Sequence, residues 1–376
     1  MTIEKVNVLV LGGVGFIGRH FVNYLTQNNL VASIRVADKM LPQTAYFTDT
    51  FKTAFSKVEF KQSNLINAAS IAACFERDDG KEFDYVFNFA AETKYSQVPE
   101  IYQERIFNLS VNCATEAAKR HIKLFVEIST AEVYDSSQDP STETSKINPW
   151  TVIGKHKYKA EEALKKIDGL NLLIIRPALV YGPAALLGLT PRLIIGRVYA
   201  HLKEEMKYLW SKDLKINTVH VEDVIRACWY LTEWYIDNNI AATGKVPVFN
   251  LADKQETDQE AINVHLRDIF NLKTSYHGTI ISAFAKLNLE SVTESVNEKH
   301  LGPWAEIVRA NGITVTPLSP YLDLEILDSH ALSVDGSKIE RETGFKYSVP
   351  LVTKDKLLEI INEFKAIDVW PKQDLD

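Results

Sequence analysis

The chain has 376 residues, 46% hydrophobic and 24% charged, which suggests two domains or one large domain with a lobe built from insertions. Its formal net charge of −7 argues against nucleic acid or an anionic membrane surface as a main partner, because both need clustered Lys and Arg.

Val6-Asn7-Val8-Leu9-Val10-Leu11 is a near-continuous apolar run, as expected for a strand buried on both faces. It leads into Gly12-Gly13-Val14-Gly15-Phe16-Ile17-Gly18, after which Phe16, Ile17, His20, Phe21, Tyr24 and Leu25 recur at helical spacing. A second strand, Ser33-Ile34-Arg35-Val36-Ala37, ends in Asp38, 20 residues beyond Gly18. Each part has a physical task. Gly12 and Gly15 let the backbone turn tightly against a pyrophosphate, and Gly18 lets helix and strand pack closely. The helix start, with Phe16 and Ile17, presents free N–H groups and a positive dipole end to phosphate. Asp38 accepts hydrogen bonds from ribose hydroxyls and repels a 2′-phosphate, which favours NAD over NADP even with Arg35 and Lys39 nearby.

The alternation continues. Further strands are expected over 58–61, 85–90, 124–128 and 172–175, and a helix over 104–119. This order implies an α/β fold, a doubly wound parallel sheet that binds ligands at the carboxyl ends of its strands. After Pro183 the pattern changes. A helix with Arg192 and Arg197 lies within 186–208, and 246–251 reads as the last sheet strand. Residues 254–310 are mostly helical, 313–328 read as an extended loop, and a closing helix over 354–366 precedes a loose acidic tail. The expected division is a dinucleotide-binding domain of 1–183 plus about 214–252, a smaller, mostly helical substrate lobe of about 184–213 plus 253–350, and a closing segment of 351–376.

Several motifs resemble the extended short-chain dehydrogenase/reductase superfamily, the NAD-dependent nucleotide-sugar epimerases and dehydratases. Gly12-x-x-Gly15-x-x-Gly18 has its glycine spacing, with Leu11 where Thr is usual. Asp38-Lys39 looks like the pair closing its second strand, and Asn64-Leu65 lies where Asp is usual near the adenine. Phe89-Ala90-Ala91-Glu92-Thr93, Ser129-Thr130-Ala131-Glu132-Val133-Tyr134, Arg176-Pro177-Ala178-Leu179-Val180-Tyr181-Gly182-Pro183 and Val219-His220-Val221-Glu222-Asp223-Val224 resemble later elements of the same families. The resemblance implies NAD held by Gly12, Gly15, Phe16, Ile17, Gly18, Asp38, Lys39, Asn64, Leu65, Ala90, Ala91, Thr93, Lys157 and Pro177. It implies substrate near Glu92, Arg192 and Arg197, and a homodimer built from helices near 104–119 and 155–166.

In that superfamily a tyrosine phenolate moves the substrate hydroxyl proton, a lysine four residues later lowers its pKa, and a Ser or Thr holds the reacting oxygen. Here Lys157 falls on the lysine and Thr130 on the Ser/Thr position, but Ile153 falls on the tyrosine. Glu132 keeps the dehydratase glutamate, while Ala131 replaces its aspartate. An isoleucine cannot carry a proton, and acid–base help is typically worth about 10²–10⁴ in rate. Two readings stay open. Either another group replaces the phenol, Glu132 first because it lies on the same face of an extended segment as Thr130, with Tyr158, His156, Lys94 and Tyr95 behind it. Or the chain binds NAD without turnover and acts as a regulatory or scaffold protein with a protein partner.

The remaining residues read more simply. Asp223 is expected as a helix cap, His220 as a packing histidine, and Arg176 as structural or substrate-binding. Cys74, Cys113 and Cys228 read as inert core thiols of a reducing compartment, and no metal-ligand spacing is expected. No apolar run is long enough to span a bilayer, and a first strand by Val6 leaves no room for a leader, so a cytoplasmic protein without a membrane partner is expected.

Overall fold

The computed structural model describes residues 5–373. Seven strands form one sheet: β1 (Asn7–Leu11), β2 (Ser33–Asp38), β3 (Glu59–Gln62), β4 (Tyr85–Asn88), β5 (Leu124–Ile128), β6 (Leu172–Pro177) and, numbered ahead because of its late place in the chain, β10 (Val248–Leu251). Their order is β10-β6-β5-β4-β1-β2-β3, and every pair is parallel. The expected α/β architecture is present. The chain builds outward from β1 to β3 and then returns to place β4 on the other side of β1, which opens a crevice at the β1 and β4 carboxyl ends.

Alternate residues of β1 serve opposite faces, as the period of two requires. Val8 and Val10 join a core with Phe21, Phe51, Phe87 and Val224, while Leu9 and Leu11 join one with Ile71, Cys113, Phe125 and Leu164. Helices therefore cover both sides: Phe16–Gln27, Asp49–Phe55 and Val221–Asp237 on one, Ala68–Phe75, Leu109–Lys119 and Val152–Leu164 on the other. Each fully buried Leu or Phe contributes about 1.5–3 kcal/mol of transfer free energy to this sheet frame.

Over the strand ends sit β7 (Leu179–Tyr181) paired with β9 (Thr218–His220), β8 (Met206–Tyr208) paired with β11 (Thr274–Tyr276), and the helices Thr190–Leu202, Gln259–Phe270 and Leu289–Ala310. Leu193, Ile262, Trp304, Ile360 and Phe364 share one core there, so the helix Lys354–Ala366 packs with this lobe. Ile339, Phe345 and Tyr347, by contrast, pack in the sheet core.

Several local expectations are corrected. The helix expected over 104–119 starts at Pro99 and carries a π-helical turn, Gln103–Asn108, before Leu109–Lys119. The stretch 313–328 contains a short helix, Leu324–Leu327. The tail is tied down as far as Gln373, because Trp370 packs against Trp304 and Gln373 N–H donates to Asn311 Oδ1 at 2.9 Å; residues 374–376 lie outside the described residues. Asp223 is not the cap of Val221–Asp237. His220 Nδ1 accepts the Glu222 N–H there, while Asp223 accepts the Ser348 and Val349 N–H groups and binds Arg226. No helix among the described residues is long and apolar enough to cross a membrane.

Candidate active site

The glycine turn closes the crevice at β1. Gly12 adopts φ +71°, and a Cβ there would lie 2.5 Å from the Ala90 backbone nitrogen at the end of β4. At Gly18 a Cβ would lie 2.5 Å from the Gly12 carbonyl oxygen. Gly12→Ala is therefore expected to cost more than the roughly 1–2 kcal/mol of left-handed strain alone. A urea unfolding midpoint equal to that of the wild type would contradict this.

Gly15 caps Phe16–Gln27 and has no side chain to bond the first N–H groups, which are left for an anion. Asp38, at the end of β2, accepts the Val14 N–H through Oδ2 and the Met40 N–H through Oδ1, both at 3.0 Å. Its carboxylate thus ties the glycine turn to the next strand. Burial raises its pKa, and the Met40 and Val14 N–H groups oppose that rise. A bare helix start, a turn that excludes side chains and an acid at the neighbouring strand end fit a dinucleotide.

One cavity of about 1580 Å³ runs from this turn into the lobe. Of the expected cofactor residues, Gly15, Phe16, Ile17, Ala91, Thr93, Lys157 and Pro177 line it. Gly12, Gly18 and Ala90 stand behind that wall, with Ala90 against Gly12. Asp38, Lys39, Asn64 and Leu65 are not on the wall either: Lys39 and Asn64 are exposed, and Leu65 is buried in the core.

Lys157, Thr130 and Glu132 come together on the cavity wall. Lys157 donates to the Ile128 carbonyl at 2.6 Å and to Glu127 Oε1 at 3.3 Å, leaving one of its three N–H groups for another acceptor. Glu127 is a fully buried carboxylate that also accepts from Asn88 and Ser110, at 2.7 and 3.0 Å. Burial raises its pKa, and Lys157 is the main opposing influence. The sequence reading passed over Glu127. Its signal was a lone acid inside the apolar run Leu124-Phe125-Val126-Glu127-Ile128.

Residues 131–133 form a 3₁₀ turn, so Thr130 and Glu132 do not share the face of an extended segment as expected. Thr130 Oγ1 caps that turn by accepting the Glu132 N–H. The Glu132 carboxylate reaches across instead, to the Thr151 hydroxyl at 2.6 Å and the Tyr95 phenol at 3.0 Å. Burial raises its pKa, the two hydroxyls lower it, and Glu325 raises it further. Ile153 is 9% exposed and belongs to an apolar cluster with Tyr102 and Ile106.

The other candidates separate cleanly. His156 Nδ1 bonds the Val152 carbonyl, and Tyr158 packs on a cluster containing Val133 and Tyr134. Arg176 is structural: it grips Glu161 through Nε at 3.0 Å and Nη2 at 2.5 Å, and also bonds the Tyr134 hydroxyl. Glu92 holds its own loop, accepting from the Thr93 and Lys94 N–H groups and from Arg105. Burial alone would raise its pKa, but these donors hold it below the usual carboxylate range.

Arg192 lines the cavity, and its guanidinium lies 5.6 Å from the Tyr208 ring centroid. Its buried Nη1 has no hydrogen-bond partner among the described residues, and Nη2 has only a 3.4 Å contact to Gln259. Arg197 is a correction: it is not on the cavity wall but binds the Gln373 carbonyl. Five residues at about 100° each put the two arginines roughly 140° apart on one helix, so one cavity does not receive both. Among the described residues there is no group of three or more His, Cys, Asp or Glu that could hold a metal ion.

A sequence model of the NAD dependent epimerase/dehydratase family matches residues 8–243. A dTDP-D-glucose 4,6-dehydratase of Dictyostelium discoideum is 27% identical over 198 residues, covering 47% of this chain and 44% of that protein. The chain thus spans about half the length of that curated relative. A UDP-glucose 4-epimerase of Mycoplasma genitalium is 27% identical over 274 residues, covering 66% of this chain and 76% of that one. In fold, the UDP-glucuronic acid 4-epimerase of Bacillus cereus, solved with UDP-glucuronic acid and NAD, superposes with a TM-score of 0.67 at 17% identity, over 96% of this chain and 99% of that one.

Proposed function

The chain belongs to the NAD dependent epimerase/dehydratase family, and we propose that it is an NAD-dependent epimerase, dehydratase or oxidoreductase acting on a nucleotide-linked sugar or similar polyol. One observation carries this reading. A single cavity joins the glycine turn, the wall of Thr130, Glu132 and Lys157, and the Arg192 guanidinium, whose buried Nη1 has no partner among the described residues. Its volume of about 1580 Å³ exceeds the roughly 300–1,000 Å³ of an ordinary small-ligand site, which suits a dinucleotide and a substrate together.

In this reading the Gly15 turn and helix start hold the pyrophosphate, Asp38 the adenosine ribose, and the spare Lys157 N–H the nicotinamide ribose. NAD, when bound, supplies the acceptor or donor of hydride. Thr130 orients the reacting hydroxyl, and Glu132 takes or returns its proton. Arg192 meets the substrate diphosphate, which supplies the anion that its buried Nη1 lacks. The printed substrates of the relatives, dTDP-glucose and UDP-glucose, are the first probes.

Protein should be denatured and the supernatant separated for NAD⁺ and NADH, and ligand-free protein then titrated calorimetrically with each. A mixed redox population agrees with turnover, and no heat with either form sinks the reading. Arg192→Ala is expected to weaken UDP-glucose binding by about 10–150-fold, the loss of one charge-assisted hydrogen bond worth about 1.5–3 kcal/mol. NAD affinity should stay unchanged. An unaltered dissociation constant for UDP-glucose would remove Arg192 from the site.

A further inference from the structure

We propose that the proton-carrying phenol missing at position 153 is supplied by Tyr95, which passes a substrate hydroxyl proton to Glu132. The inference rests on the NAD-dependent reading above and names the group that meets the substrate. Tyr95 lines the same cavity as Thr130, Ile153 and Lys157. Its ring packs on the apolar cluster of Tyr102, Ile106 and Ile153, and its hydroxyl donates to Glu132 Oε1 at 3.0 Å. Tyr95 and Ile153 thus share one apolar cluster, and the cavity keeps a phenol although helix Val152–Leu164 brings none at Ile153.

The loop that carries Tyr95 is held from three directions. Glu92 accepts the Thr93 and Lys94 N–H groups and pairs with Arg105 at 3.0 Å. The Tyr102 hydroxyl donates to the Lys94 carbonyl at 2.9 Å and accepts the Gln97 N–H at 3.0 Å. Ser96, directly after Tyr95, takes a left-handed φ of 56°, a conformation that the surrounding bonds must impose on a side chain with a Cβ. Arg105 lies in the π-helical turn Gln103–Asn108, so that departure from α-helix helps aim the loop. A group placed this firmly loses little entropy on meeting a substrate.

The chemistry follows from the hydrogen-bond direction. Because Tyr95 already donates to Glu132, its oxygen keeps acceptor capacity for a substrate hydroxyl in the cavity that it lines. In oxidation, the substrate O–H bond breaks as a new O–H bond forms at Tyr95, while the former Tyr95 proton moves to Glu132. The carbinol C–H electron pair leaves as hydride for the oxidised nicotinamide, and the products are a ketone, reduced nicotinamide and a neutral Glu132 carboxylic acid. Reduction runs the same transfers backwards. Burial and the adjacent Glu132, Glu325 and Asp323 charges raise the Tyr95 pKa far enough to keep its phenol protonated at rest, so it relays the proton and Glu132 stores it. The charged groups that act on the pair are Glu325 and Asp323 from the lobe, while Lys94 and Lys157 lie elsewhere on the same cavity wall. Glu325 is engaged by the Val152 N–H at 2.7 Å and Asp323 by the Ser96 hydroxyl at 3.0 Å.

The test has an equilibrium arm and a kinetic arm. The Glu132 carboxyl band is assigned by its loss in Glu132→Gln and followed by infrared titration of the full chain. Tyr95→Phe removes a donor from the carboxylate, so the protonation midpoint should rise at least tenfold in proton affinity; an unmoved midpoint overturns the relay. With UDP-glucose and dTDP-glucose as probes, Tyr95→Phe should lower kcat at least 100-fold with NAD affinity within threefold. The double variant Tyr95→Val, Ile153→Tyr should recover at least tenfold of that loss. A Tyr95→Phe enzyme with kcat within threefold of wild type overturns the proposal. Failure of the NAD-dependent reading, seen as no NAD binding, leaves the infrared shift in place, so the two failures are told apart.

Discussion

Glu132→Gln should reduce turnover by about 10²–10⁴, the ordinary worth of a positioned acid–base group, while NAD binds as tightly as before. The carboxylate makes no contact with the glycine turn or Asp38; its partners are Thr151 and Tyr95. Glutamine keeps an acceptor oxygen for one of these hydroxyls but cannot take a proton. The pH profile gives a second check. In the proposed reaction Glu132 is the base in the oxidative direction, so activity needs its ionised form, and its pKa is raised by burial. The acid limb of kcat/KM should therefore lie above the usual carboxylate range, near pH 4.3 for free Glu, and vanish in Glu132→Gln. The stability sign runs the other way. Between the ordinary and the raised pKa the folded chain holds more protons than the unfolded one, so this group's contribution to stability falls as pH rises through that window. Glu132→Gln should thus be no less stable than wild type at neutral pH. A variant that is inactive because it has lost its fold would refute the assignment.

Glu161→Ala should destabilise the protein by about 3–5 kcal/mol, the usual result of leaving one partner of a buried ion pair alone. Glu161 is fully buried and takes two bonds from Arg176 and one from the Ser129 hydroxyl. Arg176 is 3% exposed and, of its side-chain hydrogen bonds, would keep only the one to the Tyr134 hydroxyl. This pair joins helix Val152–Leu164 to the end of β6, directly behind Ile128, Ser129 and Lys157. Loss of the pair should therefore also loosen Lys157, the lysine proposed to meet the nicotinamide ribose. Urea denaturation measures the first effect and NAD calorimetry in the folded range the second. A stability change under about 1 kcal/mol, the scale of an exposed pair, would mean that water reaches this corner.

Sequence and structure agree where the information is local. Strands such as Val8 to Leu11 announce themselves by short apolar runs, and Gly12, Gly15 and Gly18 act within one turn. The last sheet strand was legible for the same reason, expected over 246–251 and found at Val248–Leu251. Misreadings arose where a partner lies far along the chain. Asp223 looks like a cap until the Ser348 and Val349 N–H groups, 125 and 126 residues away, take its carboxylate. Arg192 and Arg197 look equivalent until helix rotation turns the second toward Gln373. Glu127 was hidden because strand periodicity describes faces and says nothing of the lysine that arrives from a helix 30 residues later.

By itself the amino-acid order determined the βαβ start, the parallel sheet, the acid at the second strand end and the absence of a phenol at Ile153. Short-range sterics, backbone periodicity and side-chain chemistry are enough for each of these. Only the tertiary structure decided which proton-carrying groups share the cavity with Ile153. Tyr95 and Glu132 are 37 residues apart, and their 3.0 Å contact exists only because a clamped loop after β4 and a 3₁₀ turn after β5 converge on one cavity. Proton transfer depends on distances of a few tenths of an ångström, and the packing of distant segments sets that scale.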